Sequence, residues 1–266
     1  MVAPEFASCF LKLSRAEEHF NTFKLEVKEW KDSGPYVMSR KSDAGGRRHS
    51  QIIQIIKPAP VDRWALIAGD VVHNLRSVLD NLIYAIAVRE SGRNPPPKAR
   101  DLQFPVASTF ERFEDKRRRR IATLSDKVQT RIERAQPYNR PHPQVPPLLA
   151  LLSELDNLDK HNLLNVVISN VAGGKFSFTS SAQDGPFKPA EVGHHSGPVE
   201  SGAELAYFTC DPPSRDVDYR HEADIVISIA HSAGPLGNTT TELGYVLEVL
   251  AEEVRMIVDT SLQLVA

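Results

Sequence analysis

The chain has 266 residues, of which 41% are hydrophobic and 25% are charged, and its formal net charge is −2. This composition is typical of a globular protein with one sizeable hydrophobic core, and it excludes a molecule that is basic throughout. The longest apolar run near a helix, residues 82–88, is far shorter than the roughly 20 residues that a membrane span needs.

The N-terminal residues and the cysteines predict the compartment. Residues 1–5 have neither a basic flank nor an apolar stretch, so we expect no signal peptide. Cys9 and Cys210 are too few and too distant in sequence to suggest a disulfide framework or a zinc site. We therefore expect a cytoplasmic protein with no membrane partner, built as a single domain over residues 1–266.

The first third of the chain predicts two long helices separated by a strand. Apolar residues recur at three- and four-residue steps over residues 4–33, as on an amphipathic helix. Residues 39–50 are polar and contain glycine, which indicates a loop, and the β-branched stretch 51–56 indicates a strand. A second long helix is expected over residues 62–90, with Asp62 as its N-cap.

The middle of the chain predicts three further helices. Two short helices are expected at about residues 110–119 and 125–134, and a third core helix at residues 148–164. The segment 112–140 contains ten Lys and Arg residues against four Asp and Glu residues, a local net charge of +6. Such a segment can attract a polyanion such as RNA, although a solvated helix face has the same composition.

The last third of the chain changes character. Residues 165–232 contain β-branched and alternating stretches separated by Gly, Pro and Ser, which indicates an antiparallel sheet. A last helix over residues 240–264, capped by Thr239 or Thr240, is expected to return to the other long helices. The predicted fold class is therefore α+β: a layer like a four-helix bundle, with a small antiparallel sheet inserted before the C-terminal helix.

The second helix carries an unusual set of polar residues. Asp and Asn are mediocre helix formers, so their use in the middle of a helix suggests a polar purpose. At about 100° per residue, five polar residues share one side of the helix and two more lie at its border: Asp70, His73, Asn74, Ser77 and Asn81, then Arg76 and Asp80. Lys and Glu, the usual residues of a solvated face, are absent from this side, so we expect it to line a cleft.

The third core helix turns a carboxylate toward its apolar side. Asp159 falls inside an arc of leucines, and Asp156 lies at the edge of that arc. Because burial of an unpaired carboxylate costs several kcal/mol, such a group must be paired or protonated, and Arg76 is the expected partner. Lys160 and His161 lie near the helix end, where a cation suits the helix dipole.

Four motifs resemble those of a widespread bacterial family of uncharacterised proteins. They lie within residues 60–168: Gly69-Asp70…His73-Asn74-Leu75-Arg76-Ser77…Leu79-Asp80, Phe104-Pro105-Val106, Gln136-Pro137-Tyr138 and Leu155-Asp156-Asn157…Asp159-Lys160-His161. A looser similarity is to the HEPN class of small helical bundles, found in toxin and antiviral ribonucleases. Active members pair an Arg with a His a few residues later on a helix, usually in a dimer. This chain has no copy of that spacing, so the resemblance implies bundle architecture rather than activity, with a homodimer as a further expectation.

The favoured function is that of an RNA-directed protein without a cofactor, either a binding module or a metal-independent ribonuclease. His73 and His161 would act as general acid and base. The other catalytic candidates are Asp70 and Asp159, and the candidates for substrate binding are Arg76, Asn74, Lys160 and Asp80. The basic segment 112–140 would bring the RNA to these residues.

Two alternatives stay open. Asp70-x-x-His73 has the carboxylate–histidine spacing that ferritin-like bundles use to bind two metal ions. Iron or manganese could then be held by an oxygen-rich set, which includes a carboxylate on the apolar side of the first helix: Glu17, Asp70, His73, Asp156 and Asp159. The second alternative is a non-catalytic bundle that binds a protein partner or a small ligand, in which the polar cluster holds the helices in register.

Overall fold

A computed structural model describes residues 3–140, 147–171, 175–179, 189–215, 217–230 and 240–265. These residues form a mixed α+β protein with six α-helices and several small antiparallel sheets. The helices are α1 (Ala7–Asp32), α2 (Val61–Ser91), α3 (Phe110–Arg120), α4 (Asp126–Arg134), α5 (Leu148–His161) and α6 (Leu243–Val265). The strands are β1 (Tyr36–Ser42), β2 (Arg48–Ile55), β3 (Val166–Val171), β4 (Phe176–Thr179), β5 (Glu191–His194), β6 (Gly197–Pro198), β7 (Glu204–Thr209), β8 (Asp218–His221), β9 (Asp224–Ala230) and β10 (Thr240–Glu242).

Helix α2 is the centre of the helical part, because it packs against α1, α5 and α6. Trp64 near its start is fully buried, and its ring meets the rings of Phe23 and Trp30 on α1 edge-on. A helix that is surrounded on several sides needs apolar residues around most of its circumference. The polar residues Asn74 and Arg76 are nevertheless buried on α2, so each of them needs a specific partner or role.

The strands pair in three antiparallel sheets. One has the order β1-β2-β7-β5, another has the order β10-β9-β3-β6, and the third consists of β4 and β8. Val166 of β3 and Ile227 and Ile229 of β9 belong to the same buried cluster as the helices, so this sheet extends the helical core. The expectation of one small sheet before the last helix is therefore too simple.

The N-terminal hairpin corrects the loop expected at residues 39–50. Strands β1 and β2 pair along their lengths, and only residues 43–47 lie in the turn between them. Strand β1 lies at the edge of its sheet. Edge strands commonly carry charged residues, because these prevent pairing with another chain, and the exposed Arg40 and Lys41 of β1 fit this pattern. The polar composition of this stretch is therefore compatible with a strand. In the turn, Gly46 has a φ of +69°, and a Cβ there would lie 3.0 Å from the backbone of Ser214.

Some helix ends agree with those predicted from the sequence, and others differ. Helices α3 and α4 confirm the two short helices expected near residues 110–119 and 125–134. Helix α2 begins at Val61 after Pro60, so Asp62 lies in the first turn instead of at the N-cap. Thr240 lies in β10 instead of capping α6, and Thr239 is outside the described residues.

Within the described ranges, no helix combines the length and the apolar character that crossing a bilayer requires.

Candidate functional site

Helix α5 lies close to α2 at Gly69. A Cβ on Gly69 would collide with the carboxylate of Asp159, so the absence of a side chain at Gly69 allows the two helices to approach at this point. Asp159 therefore packs against the backbone of α2 and is half-buried. This contact brings the polar segment of α2 and the polar segment of α5 together.

Asp156 is the buried carboxylate of this contact. Its side chain is only 6% exposed, and it has partners on two helices. Lys160 donates from Nζ to Oδ2 of Asp156 at 2.5 Å, and Nδ1 of His73 lies 3.5 Å from Oδ1. The expectation that Asp159 is the buried carboxylate and that Arg76 pairs with it is therefore wrong. Asp156 faces inward, Leu158 in the last turn of α5 is 44% exposed, and Arg76 pairs with Asp80.

The half-buried position of Asp159 affects its acidity. Burial raises the pKa of Asp159, the neighbouring charges of Asp70 and Asp156 raise it further, and His73 opposes them. Three carboxylates therefore crowd the junction of α2 and α5, and His73 is the cationic side chain that faces them from α2 when it is protonated.

Two other predicted residues of the α2 stripe have local roles. Asp70 is largely exposed and lies 3.9 Å from Nδ1 of His19 on α1. Asn74 is buried and donates from Nδ2 to the main-chain oxygen of Asp70 at 2.7 Å. The Asn74 amide nitrogen is therefore engaged within its own helix, which weakens the expectation that it binds a substrate.

Arg76 fixes an extended segment of the chain against α2. Its Nη2 donates to Oδ1 of Asp80 at 2.9 Å and to the carbonyl oxygen of Phe104 at 2.7 Å. The amide of Phe104 donates back to the same Asp80 oxygen at 2.9 Å. Two of the motifs noted in the sequence, the Arg-Asp pair of α2 and the Phe-Pro-Val stretch, are thus parts of one hydrogen-bonded unit.

One end of the Arg76 guanidinium lacks a partner. The side chain is 10% exposed, and Nη1 is buried without a hydrogen bond to any described residue. A guanidinium stays protonated in proteins, and a buried charged donor without an acceptor is costly. The described residues therefore leave one donor of this buried guanidinium without an acceptor.

Arg76 lies in the wall of a cleft of about 580 Å³ between α2, α3, α5 and the segment that begins at Gln103. Five cations line this cleft, and they come from three helices: Arg76, Lys116, Arg119, Arg120 and Lys160. Two carboxylates, Glu154 and Asp156, also line it. A concave surface with an excess of one charge concentrates ions of the opposite sign, so this cleft attracts anions.

The cations of the cleft differ in their partners. Arg119 pairs with Asp115 one turn earlier on α3, and Lys160 pairs with Asp156. Lys116 instead donates from Nζ to the carbonyl oxygen of Val106 at 2.6 Å, and Arg120 donates to the carbonyl oxygen of Asp101 at 3.4 Å. In the described part of the chain, neither of these two cations forms an ion pair with a carboxylate.

The crowding of cations is reflected in the acidity of Lys116. Partial burial lowers the pKa of Lys116, and the positive charges of Arg76, Arg112, Arg119 and Arg120 lower it further. On the opposite wall, burial raises the pKa of Glu154. Burial therefore disfavours the charged forms of both side chains, and the neighbouring arginines add to this effect at Lys116.

Several predicted residues lie outside this cleft. His161 is exposed at the end of α5 and does not line it. Glu17 is 44% exposed and pairs with Arg255 on α6, so its expected burial on the apolar side of α1 is wrong. The proposed metal set is therefore divided, and no group of three or more His, Cys, Asp or Glu residues in the described ranges forms a candidate metal site.

The basic segment 112–140 divides into two parts. Its first part supplies Lys116, Arg119 and Arg120 to the cleft. In its second part, Arg140 pairs with the buried Glu253 of α6 and Lys127 donates to the carbonyl oxygen of Leu264, so these cations tie the segment to α6. The charge run in the sequence indicated the basic character but did not identify which of its cations face the cleft.

Comparisons with known proteins add no assignment. No protein-family model, no curated protein and no solved structure matches the chain.

Proposed function

We propose that this chain is an RNA-binding protein that contacts the phosphates of a single strand in the cleft between α2, α3 and α5. The observation that carries the proposal is the lining of this cleft: five cations from three helices surround it, and two of them, Lys116 and Arg120, have no carboxylate partner in the described part of the chain. Phosphate oxygens are strong acceptors for guanidinium donors. In this proposal the four long helices α1, α2, α5 and α6 form the bundle of an architecture like that of the HEPN class.

A single strand suits this site better than a duplex. The cations are gathered around one concave space instead of along an extended face, whereas a duplex presents regularly spaced phosphates along its whole length. Proteins that bind single strands use a positively charged groove that follows the backbone, and one OB fold of this kind covers about 4–16 nucleotides.

The direct test is a binding titration of the full chain with a labelled single-stranded RNA of about 12 nucleotides. If about three cations contact phosphates, the plot of log affinity against log salt concentration has a slope near −2. Replacement of one contact, Arg120→Gln, should weaken binding several-fold and make that slope shallower by about 0.7. Arg118→Gln is the matched control, because Arg118 is an exposed arginine of the same helix that does not line the cleft.

Two results would contradict the proposal. The first is the absence of RNA binding at about 50 mM salt, where phosphate contacts are strong. The second is binding that Arg118→Gln weakens as much as Arg120→Gln, because the interaction would then depend on total charge instead of on the cleft.

A second candidate function, RNA cleavage, is favoured by the contact between His73 and Asp156. The buried carboxylate lies 3.5 Å from Nδ1 of an imidazole that is 54% exposed, so it can orient the ring while Nε2 remains available. In metal-independent cleavage, the 2′-oxygen attacks the adjacent phosphorus after a base takes its proton. An acid then protonates the departing 5′-oxygen, leaving a 2′,3′-cyclic phosphate and a 5′-hydroxyl end.

One experiment distinguishes RNA cleavage from RNA binding. His73 and His161 stay the predicted general acid and base. If the chain cleaves RNA in the presence of EDTA, His73→Gln should remove cleavage while leaving the affinity for RNA within about twofold, because His73 does not line the cleft. Cleavage that is unchanged in His73→Gln would exclude this role of His73.

A further inference from the structure

Cations reach one space in the cleft from three directions. Arg76 comes from α2, Lys116 and Arg120 come from α3, and Lys160 comes from α5. Side chains that approach from several directions can contact different oxygen atoms of one compact anion. A row of cations on a single helix would instead follow an extended backbone.

Two of these cations have no carboxylate partner. Lys116 and Arg120 use only main-chain carbonyl oxygens as acceptors within the described ranges. A phosphate monoester carries a charge of about −1.5 to −2 at pH 7, and it presents three terminal oxygens. An internal phosphodiester carries about −1 and presents two such oxygens.

We propose that the cleft binds the terminal phosphate monoester of an RNA strand in preference to an internal phosphodiester. This inference rests on the proposed RNA-binding function and specifies its ligand. The higher charge of a terminal phosphate compensates both Lys116 and Arg120. Its third terminal oxygen provides an additional acceptor where the cations converge around Arg76.

The negative charge of Glu154 should oppose the binding of a phosphate in the cleft. Its carboxylate lines the same cleft and repels an anion there. Because the repulsion grows with the charge of the ligand, Glu154→Gln should strengthen the binding of a terminal phosphate more than the binding of a phosphodiester. Arg120→Gln should have the opposite effect.

The experiment compares three RNAs of one sequence with the full chain at constant salt and pH 7. One RNA has hydroxyl groups at both ends, one has a 5′-phosphate and one has a 3′-phosphate. We expect one of the phosphorylated RNAs to bind about tenfold more tightly than the hydroxyl-ended RNA, as for one additional close charge contact. Lys116→Gln and Arg120→Gln should reduce this preference severalfold, and Arg118→Gln should leave it unchanged.

The outcomes distinguish the two proposals. Equal affinities for all three RNAs, each weakened by Arg120→Gln, would overturn the preference for a terminal phosphate and leave RNA binding in place. If adenosine monophosphate binds as tightly as phosphorylated RNA and the hydroxyl-ended RNA does not bind, the RNA function is overturned and the cleft is a phosphomonoester site. If none of these probes binds, both proposals are wrong.

Discussion

The helices form one part of the molecule, the helical part, and the three sheets form another, the strand part. Arg76 on α2 and His221 on β8 are both buried, and both have side-chain nitrogens without a hydrogen-bond partner in the described part of the chain. Their surroundings differ. The ring of His221 lies 4.7 Å from that of Phe176 and 5.5 Å from that of His194, measured between ring centroids. Arg76 lies instead in a cleft among other cations.

The two side chains respond differently to burial because only one of them can lose its charge. Burial and the neighbouring His194 lower the pKa of His221, so its ring is neutral at pH 7 and packs as an aromatic group. The guanidinium of Arg76 remains charged. An unpartnered nitrogen therefore costs less in the strand part than in the helical part, where the anion proposed for the cleft would offset the charge of Arg76.

The largest expected effect comes from removing the charge of Arg76. Arg76→Met leaves Asp80 and the carbonyl oxygen of Phe104 without their shared donor, and breaking a largely buried pair in this way costs about 3 kcal/mol or more. His221→Phe is the matched substitution in the strand part, where we expect a change below about 1 kcal/mol at pH 7. Urea unfolding of both variants tests the comparison, and equal losses of stability would contradict it.

A smaller loss is expected from Gly69→Ala. The added methyl group collides with the Asp159 carboxylate, and overpacking of this kind costs about 1–3 kcal/mol. Because the obstacle is one side chain, the double variant Gly69→Ala/Asp159→Ala should recover most of the lost stability. The coupling in this double-mutant cycle measures the contact of α2 with α5, and strictly additive effects would show that the helices do not meet at Gly69.

The strand part should lose stability in mild acid. The pKa of His221 is lowered in the folded chain, so the unfolded chain binds its proton more readily, and stability falls as the pH falls below about 6.5. One such group contributes at most about 1.4 kcal/mol per pH unit. His221→Phe should flatten the stability profile between about pH 6.5 and 5, and an unchanged profile would show that His221 is not responsible.

The smallest effect is expected at His73. Its side chain is more than half exposed, and pairs of this exposure contribute less than about 1 kcal/mol. His73→Gln should therefore change the free energy of unfolding by less than that amount. A loss of several kcal/mol would mean that the role of His73 is mainly to hold α2 and α5 together.

The sequence predicted the long helices well because their apolar periodicity is strong and their cores are formed by residues three and four positions apart. It missed the β1–β2 hairpin because an edge strand keeps polar residues such as Arg40 and Lys41. The unusual polar composition located the α2–α5 contact. It could not show that Arg76 turns toward Phe104 instead of Asp159, because that choice depends on a segment 28 residues away in the chain.

Hydrogen exchange with and without the phosphorylated RNA tests the central claim most directly, because it reports on both parts of the molecule at once. We expect the RNA to slow exchange of the amides that border the cleft, at residues 104, 106–108 and 116–120, and to leave the amides of β4 and β8 around His221 unchanged. Protection confined to the strand part, with no change at residues 104–108, would contradict the assignment of the anion site to the Arg76 cleft.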